Sequence, residues 1–532
     1  MTTITNPILP GFHPDPSIVR VGEDYYLATS TFEWFPGVMI YHSRDLATWT
    51  LVSRPLDDVR LLDMRGVPDS GGVWAPCLSY DNGLFYLIYT NVTNKKWPLM
   101  DTPNYLTTAP DITGPWSDPV FLNGSGFDPS LFHDSDGTKW LLNMRLDPRK
   151  GKQTMAGIVM QQYCPEQQSL IGEVRNIYTG SELGKTEGPH LYKRGDYYYL
   201  MTAEGGTGWG HAVSMARSTS IWGPYETDPD NPMLTSEGDE TLELQKAGHA
   251  SYVDTPDGEH YIVHLCGRPL MPERRCNLGR ETSIQKVHWT ESGWLRLSGG
   301  GNRPYVHVEG PAASRAPEST VSGEPSVVWR EEFDGDRLDM QLQSLRIPVE
   351  SSWCSLAERP GYVRLRGRDF LTSLFRQSLL ARRQQHKHCE AVTSLDFSPQ
   401  TPMQTAGLVC YYDTDNFYYL HVTQDEQAGI CLRLISRDDG SFDEPLAEPL
   451  ALAGWAAIYL KVVIEGSSLQ YYASEDEESW QAVGPQLDAS ILSDDYGAGG
   501  KYTGSFIGIA VQDQSGQELH ADFDYLQYKG WA

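Results

Sequence analysis

Residues 15–30 read DPSIVRVGEDYYLATS, and this stretch decides the fold. An Asp-Pro start leads into an apolar run, a Gly22-Glu23-Asp24 turn and a second, aromatic-rich run. The same plan returns as APCLSYDNGLFYLIYT from Ala75, DPSLFHDSDGTKWLLNM from Asp128, GPHLYKRGDYYYLMTA from Gly188 and HASYVDTPDGEHYIVHL from His249. The starts are separated by 60, 53, 60 and 61 residues. Each turn carries Gly, Asn or Asp, which accept the positive φ of a tight hairpin. A repeat of this length, with about four strands per unit, is the signature of propeller blades. Five units predict a five-bladed β-propeller over residues 1–305.

Composition shifts at residues 306–325, where Pro, Gly, Ser and Ala crowd together, and this stretch reads as a linker. Beyond it, period-two alternation recurs at Tyr362-VRLRG, Ala391-VTSLDF, Gly407-LVCYYD, Phe417-YYLHVT, Ile458-YLKVVIEG and Phe506-IGIAVQ. These runs predict a β-sandwich over residues 326–532. The expected fold is all-β, a propeller followed by a sandwich.

A chain of 532 residues is too long for one ordinary core, which agrees with two domains. Hydrophobic residues at 40% and charged residues at 21% describe a globular protein. The net charge of -28 argues against a nucleic-acid partner, because phosphate backbones attract basic surfaces. The 29 Tyr and 15 Trp suit flat sugar-stacking surfaces. No stretch approaches the roughly 20 apolar residues of a membrane span, so no membrane partner is expected. The N-terminus shows no basic segment followed by an apolar run. The eight cysteines form no Cys-x-x-Cys pair, so reduced thiols in a cytoplasm are expected.

In a propeller the innermost strand of each blade starts beside the central channel. The repeat therefore places Pro14-Asp15, Trp74-Ala75, Phe127-Asp128, Glu187-Gly188 and Gly248-His249 in one ring. Three acids, a Trp and a His converge there from distant points of the chain. A sheltered ring of carboxylates costs stability through desolvation and repulsion, whereas catalysis needs the shifted pKa values it produces. Turn-capping before Pro would account for Asp15 and Asp128 but not for Glu187.

His13-Pro14-Asp15-Pro16-Ser17, Gly126-Phe127-Asp128-Pro129-Ser130 and Thr186-Glu187-Gly188-Pro189-His190 resemble the three signature sites of glycoside hydrolase family 43. The chain is most similar to the β-xylosidase branch, which carries a C-terminal β-sandwich. The resemblance implies an inverting, exo-acting β-xylosidase with possible arabinofuranosidase activity, acting on xylo-oligosaccharides, working as a homo-oligomer and needing no cofactor for catalysis. It implies Asp15 as general base, Glu187 as general acid and Asp128 as the group that positions Glu187 and raises its pKa. An inverting pair is expected about 6.5–9.5 Å apart, which leaves room for a water.

Further candidates carry two readings each. Phe32 and Trp74 stack on the terminal sugar or pack in the core. Arg280, in Leu278-Gly279-Arg280-Glu281-Thr282, resembles a family arginine that binds sugar hydroxyls; a structural ion pair is the alternative. His249 is a hydrogen-bonded core histidine, or it tunes Asp128 or holds a water or ion. Phe506 is a lid over the pocket, as the resemblance implies, or a strand residue in the sandwich core. Glu332, Asp334 and Asp524 resemble calcium-binding ends of related sandwiches and are the candidate metal ligands, with solvated edge charges as the alternative. Two rival functions remain. A retaining fructoside hydrolase shares the propeller but lacks its usual Asn-Asp-Pro-Asn and Glu-Cys motifs here. A sugar-binding propeller has no need of a proton donor.

Overall fold

A computed structural model describes residues 2–312 and 327–531. The first domain holds five antiparallel sheets, each wound from one repeat. In the first, Ser17–Val21 pairs with Asp24–Thr29, which pairs with Met39–Ser43 and then Thr50–Ser53. The other four sheets start with Gly72–Asp81, Ser130–His133, Glu187–Arg194 and Gln245–Asp254. Each of those strands forms a hairpin with the next through the turn that the sequence marks.

Each gap between adjacent sheets has its own apolar filling. Ile40 meets Leu78 between the first and second blades, and Leu106 meets Leu131 between the second and third. Met160 and Leu200 share the next gap, and Met215 and Ile262 the one after it. Tyr261 and Val263 of the fifth blade pack with Leu27 and Met39 of the first, so the ring closes. Side chains of the repeat stitch the same gaps. Ser17 Oγ accepts from Leu78 N–H at 3.1 Å, and Ser251 Oγ accepts from Ile18 N–H at 3.2 Å. The serine of the Asp-Pro-Ser start thus has a structural task of its own.

The propeller domain extends beyond the fifth blade. His307–Glu309 pairs antiparallel with Thr3–Thr5, tying the two ends of the domain together. The linker expected over residues 306–325 therefore opens with a strand, and its part at 313–326 lies outside the described residues. Residues Pro269–Gly279, inside the fifth repeat, group with the second domain.

The second domain has two antiparallel sheets. One carries Val363–Arg366, His520–Trp531, His388–Asp396, Ile458–Glu465 and Ser468–Ser474; the other carries Ser378–Arg383, Phe506–Asp513, Gln404–Asp413, Asn416–Asp425 and Gly429–Asp438. Inward residues of both, among them Leu408, Leu420, Val462, Ile509 and Phe523, form one apolar core, as period-two alternation requires. All six runs quoted from the sequence are strands. Among the described residues no helix is long and apolar enough to cross a membrane.

Candidate active site

The five positions that the repeat aligns share one backbone conformation. Asp15, Ala75, Asp128, Gly188 and His249 have φ of 55°, 39°, 55°, 55° and 48°. This left-handed region costs a residue with a Cβ about 1–2 kcal/mol, so the surroundings must enforce it. In the second, fourth and fifth blades the pairing register slips there, between Trp74 and Cys77, Glu187 and His190, and Gly248 and Ala250. Such bulges re-aim side chains and are common beside active sites.

Asp15 is held on three sides. Ser30 Oγ donates to its Oδ2 at 2.6 Å, Arg280 Nη1 donates to its Oδ1 at 3.1 Å, and His249 Nδ1 lies 3.4 Å from Oδ1. Ser30 Oγ accepts from Ala75 N–H at 2.7 Å, so its own proton is free for Asp15. Arg280 Nη1 also donates to Thr207 Oγ1 at 3.0 Å. Asp128 Oδ2 accepts from the Gly188 N–H at 3.0 Å, one residue beyond Glu187. A Cβ on Gly188 would lie 2.8 Å from His249 Nε2, so glycine is needed for space as well as for φ.

These contacts push the acids apart. Burial works to raise the Asp15 pKa, but Arg280, His249 and the Ser30 hydroxyl outweigh it and hold the carboxyl well below the usual range. Glu187 is raised, first by burial and then by the Asp128 charge, against the pull of His249 and Arg280. Asp128 is also raised by burial and by Asp15, with His249 and the Gly188 N–H opposing. Asp15 and Asp128 are buried, while Glu187 keeps part of its surface exposed.

Three histidines surround the acids. Burial works against the charged form of His249, yet Asp15, Asp128 and Glu187 together raise its pKa. Burial and then the His249 charge push His190 and His211 down to about 3, which leaves them neutral. His249, whose charged form the three acids favour, is thus the histidine placed against Asp15, its Nδ1 3.4 Å from Oδ1.

An aromatic wall adjoins this cluster. Phe12, Phe32, Trp74 and Phe127 follow one another with ring centroids 5.7, 5.7 and 5.4 Å apart. The Trp74 indole N–H donates to Ser70 O at 3.0 Å, so its ring faces are what it offers a ligand. Phe32 is almost fully buried and lies 5.2 Å from the Arg280 guanidinium.

The structure thus gathers Asp15, Asp128, Glu187, His249, Arg280, Phe32 and Trp74 in one region of the propeller. Ser30 and Thr207 join them without having been marked in the sequence, since each lies at the end of a second strand or in the loop after it. Phe506 starts the strand Phe506–Asp513 of the second domain and is fully buried, its ring 5.5 Å from the Arg383 guanidinium. The calcium candidates Glu332, Asp334 and Asp524 lie in the second domain. Glu332 and Asp334 are near enough to help raise the Asp524 pKa, after burial as the main cause. Glu332 Oε1, however, takes the Arg330 Nε–H at 2.7 Å, and among the described residues no three acidic, His or Cys side chains form a metal cage.

Comparison with known proteins agrees with this geometry. The family model for glycosyl hydrolases family 43 matches residues 4–295, and that for a beta xylosidase C-terminal concanavalin A-like domain matches residues 330–529. A beta-xylosidase of Bacillus subtilis (strain 168) is 48% identical over 99% of both chains. A xylosidase/arabinosidase 43B of Humicola insolens is 47% identical over 99% of this chain and 98% of that one. The crystal structure of a xylan beta-1,4-xylosidase from Bacillus halodurans C-125 superimposes with a TM-score of 0.95 at 55% identity, covering 99% of this chain and 100% of that one. With its acids, propeller and sandwich all in agreement, the chain belongs to glycosyl hydrolase family 43.

Proposed function

We propose that this glycoside hydrolase is an inverting, exo-acting β-xylosidase that releases xylose from the non-reducing ends of xylo-oligosaccharides. The observation that carries the reading is the opposed environment of two acids. Asp15, against Arg280, is held as a carboxylate, whereas Glu187, desolvated and facing the Asp128 charge, is held protonated. Inverting hydrolysis requires that pair. Asp15 takes a proton from water as the water oxygen bonds to the anomeric carbon. The glycosidic C–O bond breaks, and its electron pair takes the Glu187 proton to the leaving sugar. Asp128 keeps that proton on Glu187 beforehand by disfavouring a second negative charge. Exchange with solvent afterwards returns Asp15 to the carboxylate and Glu187 to the acid.

The activities carried in the names of the relatives support xylose as the sugar, and one of those names also includes arabinosidase. None of the eight cysteines is in a disulfide and seven are buried, which supports a reducing compartment such as the cytoplasm. The test is hydrolysis of xylobiose beside an aryl α-L-arabinofuranoside, with early product followed by proton NMR. Xylobiose should be cut faster, and α-xylose should appear before mutarotation. Initial β-xylose would mean a covalent intermediate and would overturn the inverting assignment.

A further inference from the structure

On the strand paired with that of Glu187 lies a buried carboxylate that the proposed reaction does not use. Glu204 ends the strand Tyr197–Glu204 and has no exposed surface. The residue before it, Ala203, pairs across the sheet with Glu187. The two Glu204 oxygens collect four donors. Oε1 accepts from Ser181 N–H at 2.9 Å and from Thr186 Oγ1 at 3.0 Å. Oε2 accepts from Ser214 Oγ at 3.1 Å and, in a short contact, from Ser181 Oγ.

These donors define what Glu204 holds. Thr186 immediately precedes Glu187, and Ser181 opens the loop that leads to it. Ser181 Oγ accepts from Leu183 N–H at 3.2 Å, which leaves its own proton for Glu204. The loop is pressed close: a Cβ on Gly180 would lie 1.9 Å from Thr186 Oγ1. Glu204 forms no ion pair among the described residues, so hydroxyls and an N–H alone offset its desolvation. Apolar side chains of similar volume serve stability at least as well as a buried carboxylate does. What the carboxylate adds is direction, because four hydrogen bonds fix one conformation of the segment that delivers Glu187.

We propose that Glu204 is a positioning residue for the catalytic acid. It locks Ser181 and Thr186, and through the Thr186–Glu187 peptide it holds the Glu187 carboxyl on the leaving oxygen. The proposal rests on Glu187 being the acid, so Glu187→Ala is measured in parallel. Glu204→Gln places an amide NH2 against donors and breaks the lock with little change of volume. General-acid catalysis contributes about 10²–10⁴-fold and matters most for poor leaving groups. The Gln variant should therefore lose about 10-fold or more in kcat on xylobiose and less than about 3-fold on 2,4-dinitrophenyl β-xyloside. Should Glu204→Gln fail to fold, Thr186→Val removes one arm of the same lock and should show the same split more weakly. Equal losses on the two substrates, or no loss on either, would overturn the positioning role while Glu187→Ala still shows the split. Equal losses in Glu187→Ala itself would overturn the acid assignment, and the positioning role with it.

Discussion

Arg280 Nη1 donates to Asp15 Oδ1 at 3.1 Å, and both side chains are buried, at 5% and 6% exposure. In the proposed mechanism this pair keeps the base in its carboxylate form. Arg280 is the strongest influence that lowers the Asp15 pKa against burial. Replacing it as Arg280→Gln should raise that pKa, so the base becomes protonated at higher pH. The acidic limb of the kcat/KM profile should then move toward neutrality. Stability should follow the same sign: a depressed carboxylate pKa contributes stability above its unfolded pKa and loses it as pH falls. Breaking one side of a buried ion pair costs about 3–5 kcal/mol, which denaturant unfolding will read. An acidic limb that stays in place would separate Arg280 from the titration of Asp15.

With Glu187 as the proposed acid, the alkaline limb of the profile should follow its titration. Its proton is retained by burial and by the Asp128 charge. Asp128→Asn removes the charge and keeps the shape, so the Glu187 pKa should fall and the alkaline limb should shift to lower pH. The measurement is kcat/KM on xylobiose against pH. A limb unmoved by this change would mean that Asp128 acts on orientation alone.

Much of this arrangement is legible in the sequence, and the reasons are physical. Asp15, Asp128 and Glu187 could be placed together because the repeat fixes the start of each innermost strand, and closure brings those starts to one axis. Ser30, Thr207 and Glu204 follow no such rule. They reach the site through sheet pairing and contacts across blades, which a linear pattern does not encode. The strand His307–Glu309 escaped for a related reason: three residues carry too little alternation to announce a strand, and its partner Thr3–Thr5 lies at the far end of the domain.

Glu187 is expected to make the folded protein less stable as pH rises. Its folded pKa is raised, so the stability it contributes is present at low pH and is lost as pH climbs through that value. Glu187→Gln cannot ionise. Its melting temperature should exceed that of the parent on the alkaline side of neutrality, and the difference should shrink in mild acid. A constant difference at every pH would show that the gain does not come from the carboxylate charge.

The ring of left-handed residues allows a paired test of backbone strain against contact. Ala75 and Gly188 occupy equivalent positions in the second and fourth blades, at φ of 39° and 55°. Ala75 N–H donates to Ser30 Oγ at 2.7 Å, a bond that glycine would retain. Ala75→Gly removes left-handed strain of about 1–2 kcal/mol but adds unfolded-state entropy worth about 0.5–1 kcal/mol. It should therefore leave stability equal or slightly higher, with activity intact. Gly188→Ala meets the same φ cost and a second one, because its Cβ would lie 2.8–2.9 Å from the His249 ring. His249 must move, and with it the group beside Asp15 Oδ1. The expected result is a stability loss of about 1–3 kcal/mol. A fall in kcat/KM of about 100-fold should accompany it, as small displacements of catalytic groups produce. Thermal melts and kinetics on both variants decide the matter. A Gly188→Ala enzyme that loses stability but keeps its kcat/KM would show that the His249 position has no bearing on the reaction.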